Sequence, residues 1–279
     1  MKWMIAVDSS SNLIDPAVYA AQDLGVEIVP LKIGLNQQEY VDDSRLNVSD
    51  MMQAMETAQH STSASPTPQV WQAAFEQAGQ TIAITITGAL SGSSASAYTA
   101  KKMTLEAHPD KKIFILDSRS TGPEMVLLVE EAVRLIGMGG DFDAVCAQLT
   151  QYKRRTHLLF VLESLDNLIK NGRVSKLEGG IAGLLGIKLL GCASKEGVLQ
   201  VLKKCRGRQV YQELLAQMER IGFAGRKVVI SHCFNEQRAL ELKKSILDKF
   251  PKCPVAVMQN RGLCSYYAQR GGVLVGFEA

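Results

Sequence analysis

Thr85-Ile-Thr-Gly-Ala-Leu-Ser91-Gly-Ser-Ser94 is the stretch whose residue types point most directly to chemistry. A β-branched run enters a turn of glycine and serine, and Ser91 to about His108 then reads as a helix. At such a junction the helix N-terminus offers unpaired N–H groups, and open parallel sheets bind ligands beyond the carboxyl ends of their strands. The Ser91 hydroxyl and the amides of Gly92 and Ser93 can converge there on a carboxylate or phosphate with no formal positive charge. The same pattern also suits Ser91 as a plain N-cap. A second hydroxyl cluster, Ser61-Thr62-Ser63-Ala64-Ser65-Pro66, reads as the loop before a helix opened by Thr67 and Pro68. It either lines the same crevice or only caps and turns.

Catalytic templates fit these residues badly. Gly88-Ala-Leu-Ser91-Gly92 lacks the Gly-x-Ser-x-Gly spacing of a nucleophile elbow. No P-loop occurs, and Asp8-Ser-Ser-Ser-Asn12 stands where a dinucleotide fingerprint would need glycines. A hydrolase or transferase reading would make Ser91 the nucleophile and His60 its base, but His60 and His232 are lone imidazoles, more often structural or solvated. Asp8 is expected to bond the backbone amides of the turn that follows it. Lys203-Lys-Cys-Arg206-Gly-Arg208 reads as a solvated face or as a docking surface for an acidic partner, and Asn171-Gly-Arg173 as a turn presenting a guanidinium. The 6 cysteines include no Cys-x-x-Cys pair and accompany only 4 histidines, so no metal site is expected; reduced thiols fit a cytoplasmic location.

The elements that must hold these residues follow from periodicity. A chain of 279 residues, 46% apolar and 21% charged, is long enough for two packed domains with a sizeable core. Its net charge of +3 is too small for a nucleic-acid-binding footprint. The most apolar stretch, Ile181 to Cys192, is interrupted by Lys188, so no membrane span is expected, and the first residues do not read as a secretory signal.

Strands are expected at Trp3 to Val7, Val26 to Leu31, Thr81 to Thr87 and Lys112 to Leu116. Helices are expected from Asp15-Pro16 to Gly25, from Pro68 to Gly79, and at Pro123 to Met138 and Phe142 to Arg155. Beyond His157 come strands at His157 to Leu162, Val198 to Lys203, Lys227 to Ser231, Val255 to Met258 and Val273 to Phe277. Helices there follow Ser164 and Val210 and lead to Phe250. The expectation is two α/β domains. Residues 1–156 would form a mostly parallel sheet flanked by helices, and residues 157–279 a mixed sheet with helices.

Taken in order, Asp8-Ser-Ser-Ser11, Thr62-Ser63, Leu90-Ser91-Gly92-Ser93 and Leu116-Asp117-Ser118 resemble the DegV family of bacterial fatty-acid-binding proteins. The likeness continues through Glu163-Ser-Leu-Asp-Asn-Leu-Ile-Lys-Asn-Gly-Arg173-Val, Leu185-Gly-Ile-Lys188 and Lys204-Cys-Arg206-Gly-Arg208. The resemblance implies one long-chain fatty acid, such as palmitate or oleate, held between the domains. Its carboxylate would meet Thr62 and Ser91, with Ser63, Gly92 and Ser93 as supporting contacts. It further implies a non-catalytic partner of a fatty acid kinase, whose separate subunit phosphorylates the bound acid. No cofactor is implied.

Arg173, at a family Gly-Arg position, would contact the kinase or orient the head group. Tyr267 stands where the family has a histidine, Leu189 where it has a proline, and Thr62-Ser-Ala-Ser-Pro replaces Thr-Ser-Gln-Pro. Ile181 to Ile187 is a candidate tunnel wall, or a plain core helix. A module for another anionic apolar ligand is the remaining alternative.

Overall fold

A computed structural model of the chain describes residues 1–174 and 186–279. The stretch read as a tunnel wall, Ile181 to Ile187, lies outside the described residues as far as position 185. The first half runs β1 (Trp3–Asp8), β2 (Leu24–Val29), β3 (Lys32–Leu35), β4 (Gln38–Val41), α1 (Val48–Thr57), β5 (Ser61–Ala64), α2 (Pro68–Glu76), β6 (Gln80–Thr85), α3 (Ser93–Ala107), β7 (Lys112–Asp117), α4 (Pro123–Gly137) and α5 (Phe142–Lys153). The second runs β8 (Thr156–Leu162), α6 (Asp166–Lys170), β9 (Ile187–Ala193), β10 (Leu199–Arg206), α7 (Gln209–Ile221), β11 (Val228–His232), α8 (Glu236–Lys249), β12 (Val255–Gln259), α9 (Gly262–Ala268) and β13 (Val273–Glu278).

Strands β2-β1-β6-β7 form a parallel four-stranded sheet. Parallel strands are buried on both faces, and the two central ones, β1 and β6, are. Met4, Ala6 and Ala83 pack with Trp71 and Phe75 of α2, while Ile5, Val7, Ile82 and Ile84 face the larger core. A mixed six-stranded sheet has the order β10-β9-β8-β13-β11-β12. In β8 the strand pleat sends Leu158, Phe160 and Leu162 into the larger core, and Leu159 and Val161 into a second one beside Leu214 of α7 and Leu242 of α8.

Helix α4 lies between the two sheets, packed on β8, β11 and β13 from one and on β1 and β6 from the other. It is apolar around most of its circumference, with Met125 through Val129 buried in succession, as a two-sided environment requires. Gly276 permits the approach: a Cβ there would stand 2.4 Å from the Glu124 amide nitrogen. The Glu124 carboxylate, itself buried, pairs with Lys153 Nζ at 2.8 Å and accepts from Thr156 Oγ1 at 2.7 Å. Both of its partners are thus satisfied inside the protein.

The mixed α/β architecture matches the sequence expectation, with three differences. The helix expected from Pro16 to Gly25 is a single 3-10 turn, Pro16–Tyr19, because none of its side chains is buried; Gly25 belongs to β2. Ser61 to Ala64 is a strand rather than a loop. It completes an antiparallel three-stranded sheet, β4-β3-β5, that the sequence reading does not contain. Strand β9 and helices α1 and α9 are likewise additional. Among the described residues, no helix is long and apolar enough to cross a membrane.

Candidate functional site

Strand β5 alternates, and the alternation decides which hydroxyls can act together. Ser61, Ser63 and Ser65 are half-buried, whereas Thr62 and Ala64 are exposed on the opposite face. Thr62 sits across from Gly34 in β3, where a Cβ would come within 2.7 Å of its Oγ1. Thr62, expected as a carboxylate ligand, therefore points away from the interior, and Ser63 and Ser65 take that side.

The turn after β6 brings the second hydroxyl loop alongside. Leu90 and Ser91 amides donate to the Thr87 carbonyl at 3.3 and 3.2 Å, closing the chain tightly before α3. Ser91 Oγ then stands 3.2 Å from Ser65 Oγ and accepts from the Ser93 amide at 3.3 Å. Ser93 itself is turned inward: its hydroxyl donates to Asp8 at 2.7 Å and is fully buried, which commits it to the scaffold rather than to a ligand. Gly92 is exposed at the turn.

Asp8 does more than hold its own turn. Its carboxylate accepts from Ser10 Oγ at 2.5 Å and from the Ile86 amide at 2.8 Å, so it clamps β1 to the start of the serine turn. Burial pushes its carboxyl up to about 6 in spite of these bonds. Asp117 accepts from the Gly88 amide at 3.2 Å, bracing the same turn from β7.

The guanidinium and the phenol arrive from the other half of the chain. Arg173 donates through Nε to the Leu90 carbonyl at 3.2 Å and also to the Asn171 carbonyl. Tyr267, on α9, has its hydroxyl 2.7 Å from Ser63 Oγ. Burial raises the Tyr267 phenol, opposed by the Ser63 hydrogen bond and the nearby Arg173 charge. Helix α9 is fixed by buried Asp42, which accepts from the Gly262 and Leu263 amides at 2.8 and 2.9 Å. The neighbouring Tyr266 hydroxyl donates to Ser61 Oγ at 2.8 Å and accepts from Asn171 Nδ2 at 2.8 Å, tying β5 to the turn that carries Arg173.

Ser63, Ser65, Ser91, Arg173 and Tyr267 line a single cavity of about 850 Å³ of non-atom space, its open part included. Its remaining wall is mainly apolar, from Leu158, Phe160 and Leu162 of β8 together with Ile86, Leu263 and Leu274. The β9–β10 hairpin closes one side. Gly197, at φ +83, accepts through its carbonyl from Thr87 Oγ1 at 2.8 Å, so close that a Cβ would overlap that oxygen at 2.2 Å. The arrangement suits an elongated apolar molecule with an anionic end.

It does not suit serine nucleophile chemistry. Ser91 Oγ is bonded to another serine and an amide, while His60 is exposed at the far end of β5 with its backbone amide held by Asn36. Among the described residues no cluster of metal-ligating side chains occurs. In the basic run, Lys203 Nζ pairs with Glu213 at 2.7 Å.

Sequence reasoning named Ser65 only within the hydroxyl cluster and missed Thr87 and Tyr266. The alternation Ser61-Thr-Ser-Ala-Ser65 was the available sign that this stretch is a strand with a hydroxyl-bearing face.

Comparison with known proteins agrees with this geometry. A family model described as DegV, an uncharacterised protein family, matches residues 2–277. A DegV domain-containing protein of Streptococcus pneumoniae (strain ATCC BAA-255 / R6) is 42% identical over 280 residues, covering 100% of this chain and 99% of the relative. The crystal structure of the S. pneumoniae fatty acid kinase (Fak) B3 protein loaded with linoleic acid matches with TM-score 0.95 and 41% identity, over 100% of this chain and 99% of that one. A DegV family protein from Eubacterium eligens loaded with heptadecanoic acid matches with TM-score 0.94 and 33% identity, over 99% of each chain. The chain is a member of the DegV family.

Proposed function

We propose that the protein is a non-catalytic carrier that binds one long-chain fatty acid in this cavity and presents its carboxylate to a fatty acid kinase subunit in the cytoplasm. The observation that carries the reading is the apolar cavity with three serine hydroxyls, a tyrosine and an arginine gathered at one end. The fatty acids in the S. pneumoniae and E. eligens relatives support it. Burying about fifteen methylenes at roughly 0.8 kcal/mol each supplies about 12 kcal/mol before association costs, so the chain gives affinity and the polar end gives orientation.

Ser63 and Ser91 are the head-group hydroxyls in this reading, with Ser65, Arg173 and Tyr267 around them. Counted back from Pro66, the family's Thr-Ser-Gln-Pro pattern begins at Ser63 rather than at Thr62, in keeping with the side of β5 on which each lies. The Tyr267 hydroxyl, bonded to Ser63, acts in place of the family's histidine. Residues 1–156 supply the hydroxyl loops, and residues 157–279 supply Arg173, Tyr267 and most of the acyl wall.

Native mass spectrometry of the purified protein tests the proposal. A bound mass equal to a fatty acid is expected, before or after incubation with palmitate or oleate. An apo mass unchanged by either acid refutes it, and extraction of a different anionic lipid would redirect it.

A further inference from the structure

The floor of the cavity is one face of the six-stranded sheet, and residues paired across antiparallel strands share that face. Leu274 of β13, Phe160 of β8 and Gly191 of β9 stand opposite one another in a row. Leu274 and Phe160 line the cavity, as do Ala193 of β9 and its partner Leu199 of β10, but Gly191 does not. The Phe160 ring lies across it. A Cβ at Gly191 would stand 2.3 Å from Phe160 Cζ and 2.4 Å from Cε2.

A glycine inside a strand brings no side chain to pack and loses more freedom on folding than any other residue. Its own backbone does not ask for it, since Gly191 is not in the left-handed region. What asks is space, for the ring and for the Gln200 carbonyl oxygen, 2.6 Å from the same Cβ position. Leu189 and Ala193, two residues away in each direction, carry side chains to the same core. Between them Gly191 leaves a depression, and Phe160 fills it. Laid flat, the ring keeps the space above it open; upright, it would stand in the path of an acyl chain. The same ring shuts the chain out of the depression beneath.

We propose that Phe160 is the gauge of acyl length in this cavity: the ring over Gly191 ends the space open to methylenes, and a smaller side chain there lengthens it. The proposal deepens the fatty-acid reading and rests on it. It makes Phe160 a specificity residue that acts on the chain alone, while Ser63 and Ser91 hold the carboxylate. Discrimination by such a wall is steep, because each methylene left without room forfeits about fourfold in affinity.

The test offers delipidated native protein, Phe160→Leu, Phe160→Val and Leu159→Val an equimolar mixture of myristic, palmitic, stearic, arachidic and behenic acids. Native mass spectrometry then reads which acid each protein holds. The native protein is expected to favour a middle member of the series and to discriminate against behenic acid. In both Phe160 variants the ratio of bound arachidic to palmitic acid is expected to rise about fivefold or more. Leu159→Val loosens the same strand one residue away, with its side chain in the second core, and should keep the native profile. Native protein that takes behenic acid as readily as stearic acid overturns the proposal, a result that stands even if neither Phe160 variant folds. An unchanged ratio in the folded Phe160 variants overturns it too, as does an equal shift in Leu159→Val. Native protein that binds none of the acids overturns the fatty-acid reading, and the gauge with it.

Discussion

The sharpest prediction contrasts two adjacent side chains on one strand. Ser63 is half-buried, lines the cavity, and lies 2.7 Å from the Tyr267 hydroxyl; Thr62 is exposed and lines nothing. If Ser63 donates to a carboxylate, Ser63→Ala removes a hydrogen bond to a charged acceptor, worth about 1.5 to 3 kcal/mol, or roughly 10- to 100-fold in Kd. Thr62→Ala changes an exposed position and should stay within about 0.5 kcal/mol, roughly twofold. Both affinities can be read from displacement of a fluorescent fatty acid by palmitate, with urea midpoints confirming that each variant is folded. Ser91→Ala should behave like Ser63→Ala. A loss in Thr62→Ala as large as that in Ser63→Ala would show that the pleat of β5 does not sort the ligand-facing residues as described.

Two further outcomes follow from the scaffold. Asp8 has its carboxyl raised from 3.8 to about 6 by burial, so the folded state holds the proton more tightly than the unfolded one. This group's contribution to stability therefore falls as pH rises from about 4 through 6, by on the order of 3 kcal/mol. Asp8→Asn fixes the neutral form, so urea denaturation should show the native protein losing ground to the variant across that window; parallel pH profiles would refute the assignment. Gly197→Ala forces a methyl onto Thr87 Oγ1 and the Arg119 Cα at φ +83, and should cost about 2 to 4 kcal/mol in thermal melts. An unchanged midpoint would mean that the β9–β10 hairpin does not clasp the first sheet.

Much of the fold was legible because its signals are local and periodic. The alternating β-branched run of β6, the proline-started helices α2 and α4, and the continuous apolar run of β13 all announce themselves within ten to fifteen residues. The small β4-β3-β5 sheet did not, because its strands are only 4 residues long. One partner, Ser61-Thr-Ser-Ala, is built of residues equally at home in a turn. Helix α9 was hidden for a different reason. Its N-terminus is capped from 220 residues away by Asp42, and no nearby side chain signals the start.

The site followed the same division. The serine turn after β6 could be found from its own glycines and hydroxyls. Which face of β5 meets it could not, since that depends on pairing with β3. Arg173 carried only the local sign of a turn presenting a guanidinium, and Tyr267 none of its own; the order of motifs along the chain singled them out as site residues, and long-range packing brings them to Leu90 and Ser63.

The position of α4 bears on how the molecule comes apart. A helix buried against both sheets at once belongs to neither half alone, and the larger hydrophobic core runs unbroken from Ile5 and Ile82 through Met125 and Leu128 to Phe160 and Leu274. Separating the sheets would bare that shared surface, so the two halves form one cooperative unit. The amides at the middle of α4 are then among the last to exchange with solvent, opening only with global unfolding.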